Sequence, residues 1–454
     1  RTTVWRFVDG TKVADHVFTT ATSGLSWHGS EPVVAIGCDD QQARVWNLSA
    51  DVEILLPGHQ RETVVTWYHP KTELMATTCW DQILRLWYPP LAMPWLETKV
   101  GRPLGFSPDG QWLAVMNSRG VGRLRVHVPQ ECRLLHAPPG QPQGGEFPSF
   151  SPDGRFVAVA SRACFSIWET GTGRLVAQQA LPEMAFVAFQ NNGELLTTSK
   201  EGAVLWTHDG ASPASTWHRV RIALPPDARA FTFPDFSANG RRLVISRQDS
   251  VAEVYDWPEA RLRCRLEGQT QMSTVRLSPD GHWAAAGYWD AAGARRSKVW
   301  IWSADDGRAA RQFATGNSEP LFSPDGRWFL LPSDKDYRLF AVNGHPTNWT
   351  EVRRFERLAN TFQSGWAAFS DDSATMAIQA DERIIRLLNT FTGEELARLN
   401  PVPRAYRTTH FAFSRSGRWL AAHSSVGLHL WDLTLVRRRL AEMNLDWVSP
   451  TTNR

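Results

Sequence analysis

Apolar and polar residues alternate along most of this chain in short runs, cut by polar clusters containing Gly, Pro, Asn or Asp. A two-residue period marks strands with one face buried, and the clusters between them supply turns. The clearest stretch is residues 57–87, PGHQRETVVTWYHPKTELMATTCWDQILRLW. Val64 to Trp67 reads as a strand, Pro70 to Glu73 as a turn, Leu74 to Thr78 as a second strand and Ile83 to Trp87 as a third, with Asp81 at the tight turn before the last. Weaker copies recur from end to end. Aligned on Trp87, the equivalent positions are Trp5, Trp46, His127, Trp168, Trp206, Tyr255, Trp302, Phe340, Leu388 and Trp431, with successive separations of 38 to 49 residues. Many close an alternating run such as ARVW, LRLW, FSIW, VWIW or LHLW, which predicts a large side chain wherever one sheet stacks on the next.

A second mark precedes most of these positions. Ser107-Pro108-Asp109-Gly110, Ser151-Pro152-Asp153-Gly154, Ser278-Pro279-Asp280-Gly281 and Ser323-Pro324-Asp325-Gly326 each join two apolar strand ends. Degenerate forms stand at Asn191-Asn192-Gly193, Ser237 to Gly240, Ser370 to Ser373 and Ser414 to Gly417. Pro presets its dihedral and Gly accepts a positive one, so the motif builds a hairpin turn. A period of roughly 40 to 50 residues with such turns is that of four-stranded β-propeller blades. The fold class is therefore all-β, about ten blades. From His127 to Trp431 there are seven complete units, and Cys132 to Ala137 is placed to add the outer strand of the last, closing a ring. The expected division is a seven-bladed propeller over 128–432, part of a second propeller over 1–127, and a short amphipathic helix and tail over 433–454; a single ring of ten blades also satisfies the count. Residue 1 is Arg, not Met, next to a strand pattern, Thr2 to Phe7, which reads as a cut within something longer.

His59, Thr77, Asp81 and Trp87 stand where WD-repeat proteins, which this stretch resembles, carry a hydrogen-bonded His-Ser/Thr-Asp-Trp tetrad. Independently of the family, a buried imidazole needs both nitrogens satisfied, and a turn carboxylate plus a strand hydroxyl can do it. That makes the four residues structural. The Ser-Pro-Asp-Gly turns and the closing WDLTLVRRRLAEMNLDW (431–447) are also similar to C-terminal WD-repeat regions of large multidomain bacterial proteins, including serine/threonine kinases. The resemblance implies a non-catalytic interaction scaffold or recognition module. Its alternatives are an accessory propeller whose kinase or hydrolase domain lies outside this chain, and a small-ligand sensor.

Composition narrows the rest. Lys and Arg total 49 against 46 for Asp and Glu, which gives no broad field for nucleic acid or anionic lipid. No apolar run reaches the roughly 18 residues of a membrane helix. Five widely spaced cysteines, with no C-x-x-C, suggest neither a disulfide framework nor a zinc site and lean toward a cytoplasmic location. An upstream membrane segment would instead place the chain outside the cytoplasm. No nucleophile elbow, H-E-x-x-H or Gly-Lys dipeptide occurs, so no enzyme, cofactor or metal is expected. Asp235-Phe236-Ser237 looks like a kinase metal-binding triplet but falls in a blade's first strand.

Partners are expected to be proteins or peptides bound to a monomer. The loop after each second strand opens on the recognition face and presents Trp80, Arg162, Gln248, Tyr288 and Trp289, residue types that make interface hot spots. Three long intervals (207–229, 288–299 and 345–365) read as inserted loops rich in arginine. Arg219, Arg221, Arg295, Arg296, Arg353 and Arg354 there either grip acidic ligands or serve solubility.

Overall fold

The structure is a computed structural model. It describes the chain except residues 1, 90–93, 126–130, 136–145, 161–163, 181–185, 200–201, 209–216, 225–230, 248–250, 270–271, 273, 289–297, 358–364, 382–383, 401–407, 425–426, 444 and 448–454. Two compact units emerge, Arg1–Pro129 with His136–Gln141, and Gln130–Leu135 with Pro142–Arg454.

The second unit holds seven antiparallel four-stranded sheets. In six of them the strands pair in simple chain order, with innermost strands Glu146–Phe150, Phe186–Phe189, Phe231–Phe236, Thr274–Leu277, Leu321–Phe322 and Ala367–Phe369. The seventh combines Thr408–Phe413, Trp419–Ser424 and Gly427–Asp432 with Cys132–Leu135 on the outside, Cys132 opposite Trp431 and Leu135 opposite Leu428. Packing follows the same order. One apolar cluster joins Phe165 of the first sheet to Trp206 of the second, and another carries Trp302 against Val244 and Leu266 of the preceding sheet. The last joins Leu135, Leu428 and Trp419 of the seventh sheet to Trp168 of the first, which closes the ring. Trp168, Trp302 and Trp431 are buried, as are their replacements Tyr255, Phe340 and Leu388. Burial of each such ring contributes roughly 2 to 3 kcal/mol. The repeat therefore tolerates Tyr, Phe or Leu where another apolar body of similar size fills the gap.

The hairpin turns have one geometry. In the four Ser-Pro-Asp-Gly copies the Gly N–H donates to the Ser carbonyl at 2.8 to 2.9 Å. The Ser hydroxyl donates to the Asp side chain, as in Ser323 to Asp325 at 2.6 Å, and accepts the N–H of the next strand, as from Trp328 at 2.9 Å. Each of these Gly residues has positive φ, and Ser373 takes that conformation (φ 59°) in the degenerate copy at 370–373.

The first unit contains a hairpin of Thr2–Trp5 with Lys12–His16, two four-stranded sheets, and a three-stranded sheet of Arg102–Phe106, Trp112–Asn117 and Gly120–Arg125. Its innermost strands leave Leu25, Trp27, Trp67 and Leu104 exposed. Trp5, the repeat's ring at the hairpin, is 60% exposed where Trp46 and Trp87 are buried.

One reading of the sequence needs correction. The long intervals at 207–229 and 345–365 contain outer strands, Trp217–Leu224 and Thr350–Glu356, and not loop alone. Outer strands are exposed edges whose polar sequence hides the two-residue period. Arg353 donates from that strand to the Phe391 carbonyl at 2.7 Å, and Arg354 pairs with Glu351 at 2.8 Å. Arg219 also lies in an outer strand, while Arg295 and Arg296 lie outside the described residues, as does the side chain of Arg221. The short C-terminal helix runs Leu433–Glu442 and starts where Asp432 accepts the N–H groups of Thr434 and Leu435. Leu433, Val436 and Trp447 pack on the seventh sheet.

Candidate functional site

The sheet formed by Thr63–Tyr68, Met75–Cys79, Leu84–Trp87 and Pro94–Thr98 carries the polar residues expected to form a tetrad. Alternation sends Thr77 and Arg85 to the same face, opposite each other in register. The Trp87 indole N–H donates to Thr77 Oγ1 at 2.6 Å, and Thr77 Oγ1 lies 3.0 Å from His59 Nε2. Asp81 does not complete the network directly. The Arg85 guanidinium stands between, 2.8 Å from Asp81 Oδ2 and 3.1 Å from His59 Nδ1, and donates to Glu97 Oε1 at 2.7 Å. The carboxylate assigned to the imidazole thus reaches it through an arginine, because Asp81 Oδ1 already accepts the Ile83 N–H at 2.8 Å and holds the turn.

An arginine can only donate, so His59 Nδ1 is the acceptor and Nε2 carries the proton toward Thr77. Burial, reinforced by the Arg85 charge, lowers the His59 pKa to about 4. Burial opposes ionisation of Asp81, yet bonds from Cys79, the Ile83 N–H and Arg85 outweigh it and hold the carboxyl below its ordinary value. His59, Cys79 and Asp81 also bring three potential metal-ligand atoms within 4.8 Å of one another. The donor set does not suit a cation: Arg85 places a positive charge in contact with two of the three, and the Cys79 thiol is pushed up by burial and so stays protonated.

Arg85 has a signal in the sequence. The spacing D-x-x-x-R-x-W occurs at Asp81-Arg85-Trp87 and again at Asp40-Arg44-Trp46. Arg44 likewise holds Asp40 at 2.8 Å and an outer-strand glutamate, Glu53, at 2.5 Å. Arg386 repeats the outer half of the pattern with Glu395 at 2.6 Å. In the second unit the Trp206 indole donates to Thr197 at 2.8 Å, the counterpart of Trp87 and Thr77.

Of the five side chains expected on the recognition face, Arg162, Gln248 and Trp289 lie outside the described residues. Tyr288 is half-buried, not exposed, with its carbonyl accepting the Ser318 N–H at 3.0 Å. Trp80 is 60% exposed. It sits between Cys79, whose sulfur accepts the Asp81 N–H at 3.4 Å, and Asp81 itself, so its backbone is fixed on the C-terminal side by the network beneath.

Four-stranded antiparallel sheets packed face to face around a closed ring define a β-propeller. The family described as WD domain, G-beta repeat, matches residues 52–88, one of the repeated four-stranded units, and with the closed ring of sheets this supports a β-propeller of WD-repeat type. Among solved structures, hydrazine synthase of Kuenenia stuttgartiensis is similar with a TM-score of 0.51 and 12% sequence identity, covering 64% of this chain and 95% of that one, a likeness of fold alone. No curated protein sequence matches. WD repeats are in general interaction or recognition modules, and no helix among the described residues is long and apolar enough to cross a membrane.

Proposed function

We propose that this chain is a non-catalytic interaction scaffold, or recognition module, of a larger bacterial protein, and that the loop tip carrying Trp80 contacts a protein or peptide partner. The observation that carries this reading is a Trp exposed to 60% on a turn anchored by the Asp81–Arg85 pair. A large ring on a pre-ordered backbone contributes contact area with little ordering cost, as interface anchors do. Within the network below, His59 is buried and neutral above about pH 4, and each of its nitrogens is engaged by Thr77 or Arg85, so it serves to hold the turn.

The first unit is read as part of a second propeller. Leu25, Trp27, Trp67 and Leu104 point from innermost strands and are exposed, as expected of residues that further blades would enclose.

The test is to recover partners with the wild-type chain from its native lysate, identify them, and measure their affinity for Trp80→Ala and Trp289→Ala. A loss of tenfold or more for Trp80→Ala, with an unchanged circular dichroism spectrum, is expected. Unchanged affinity would move the binding surface elsewhere.

A further inference from the structure

The axis of the seven-bladed unit contains a cavity of about 490 Å³ whose lining is divided by chemistry. Near the starts of the innermost strands five rings gather. Phe147, on the first blade, lies 5.2 Å from Phe186 of the second, 4.0 Å from Phe233 of the third, 6.3 Å from Trp366 of the sixth and 3.6 Å from His410 of the seventh. A side chain that touches four blades, two of them not adjacent to its own, must sit on the axis. Phe147 and His410 reach these places with φ of 60° and 47°, a conformation that non-glycine residues rarely adopt. Below the rings, toward the turns, the wall steps back to small residues, with Ser149, Ala188 and Ala412 still partly exposed although they lie in innermost strands.

Charged residues line the same cavity, Asp235 two residues after Phe233 in one innermost strand. Asp235, Arg276 and Glu319 line the cavity from the third, fourth and fifth blades. Asp235 accepts the Leu277 N–H at 2.8 Å, and Arg276 approaches it only to 4.0 Å, with one third of the arginine side chain still accessible. The guanidinium keeps donors free of close pairing with Asp235. A second unused donor faces the aromatic side, for Trp366 Nε1 is buried with no hydrogen-bond partner among the described residues. At the turn end, Arg415 is engaged by Asn191 at 2.8 Å and stands 4.0 Å from Asp371.

An aromatic cluster and a guanidinium near a carboxylate, lining one cavity, suit a ligand that is flat and apolar at one end and zwitterionic at the other. We infer that the cavity binds an α-amino acid with an aromatic side chain. Its ring packs on Phe147 and Phe186, its carboxylate is held by Arg276, and its ammonium faces Asp235 and Glu319. Guanidinium-to-carboxylate recognition supplies the specificity that ring stacking lacks. A cavity of this size accommodates one such molecule, and the small residues at positions 149, 188 and 412 leave the room for it.

The experiment is calorimetric titration of the whole chain with L-phenylalanine, L-tyrosine and L-tryptophan, each compared with analogues lacking one charge, 3-phenylpropionate and phenethylamine. At least one amino acid should bind, and both analogues should bind tenfold or more weakly. Arg276→Gln should weaken the amino acid by at least tenfold and leave phenethylamine unaffected. Ala412→Leu, which fills the hollow, should abolish binding with the thermal transition retained; if that variant does not fold, Arg276→Gln alone decides. Absence of binding by all three amino acids, equal binding of the single-charge analogues, or an unaltered Arg276→Gln titration would each overturn the assignment.

Discussion

The Asp81–Arg85 pair allows a quantitative test of how the first unit's best repeat is held together. Arg85 is 1% exposed, and three groups satisfy it: Asp81, Glu97 and His59. Asp81→Ala removes its buried carboxylate and leaves Glu97, whose side chain is 49% exposed and so screened by water. Stranding a buried charge costs about 3 to 5 kcal/mol; with Glu97 still present the expected loss is about 1 to 3 kcal/mol. Arg85→Met removes the cation and leaves Asp81 and His59 Nδ1 without it, a loss of similar size. The double variant lacks both charges, so its loss should fall short of the sum of the single losses by about 1 to 2 kcal/mol. Urea titrations read by hydrogen exchange of amides within 63–87 report on this sheet without interference from the other unit. Additive losses would refute the proposed coupling and leave Asp81 as a turn cap only.

Two further outcomes follow from the same structure. His59, ordinarily near 6.5, titrates at about 4 when folded, and fully buried His429 at about 3. Between these values and 6.5 the unfolded chain binds more protons, so stability rises with pH and is progressively lost as pH falls from 6.5 toward 4 and 3. The His59 share is on the order of 3 kcal/mol, and a pH–stability curve of His59→Gln should be flatter across that window. Leu135→Asp places a charge against Trp168 and Leu428 in the closing cluster and should destabilise the second unit by about 3 to 5 kcal/mol, while amide protection in residues 33–87 stays at its wild-type level.

The sequence carried the ring better than its decorations. Strands at 63–87 were legible because half-buried strands must alternate, and the Ser-Pro-Asp-Gly turns because few residues accept their dihedrals. The closing strand at 132–135 was legible only through counting, since a seventh sheet lacked an outer strand. Outer strands such as Thr350–Glu356 were missed because their exposed edges relax the alternation. In the tetrad stretch His59, Thr77 and Trp87 are joined by hydrogen bonds, and spacing alone does not say that Arg85 will enter between His59 and Asp81. The recognition face was the least legible, because the exposure of a loop side chain depends on its neighbours and not on its own type. Tyr288 and Trp80 follow second strands in the same way, yet one is half-buried and the other exposed.

The pairing of Cys132–Leu135 with Gly427–Asp432 also sets an order of events in the cell. The two strands are joined across nearly the whole unit, with Cys132 Sγ 3.7 Å from His429 Nδ1 at a sequence separation of 297 residues. A ribosome adds about 5 to 20 residues per second, so the earlier strand leaves the tunnel roughly 15 to 60 s before its partner exists. Until then six sheets can form from local contacts, but the seventh cannot, and the first sheet keeps an open apolar side. Nascent chains stalled short of residue 427 should therefore be held by chaperones, and emergence of Gly427–Asp432 is the step that commits the unit to its folded state.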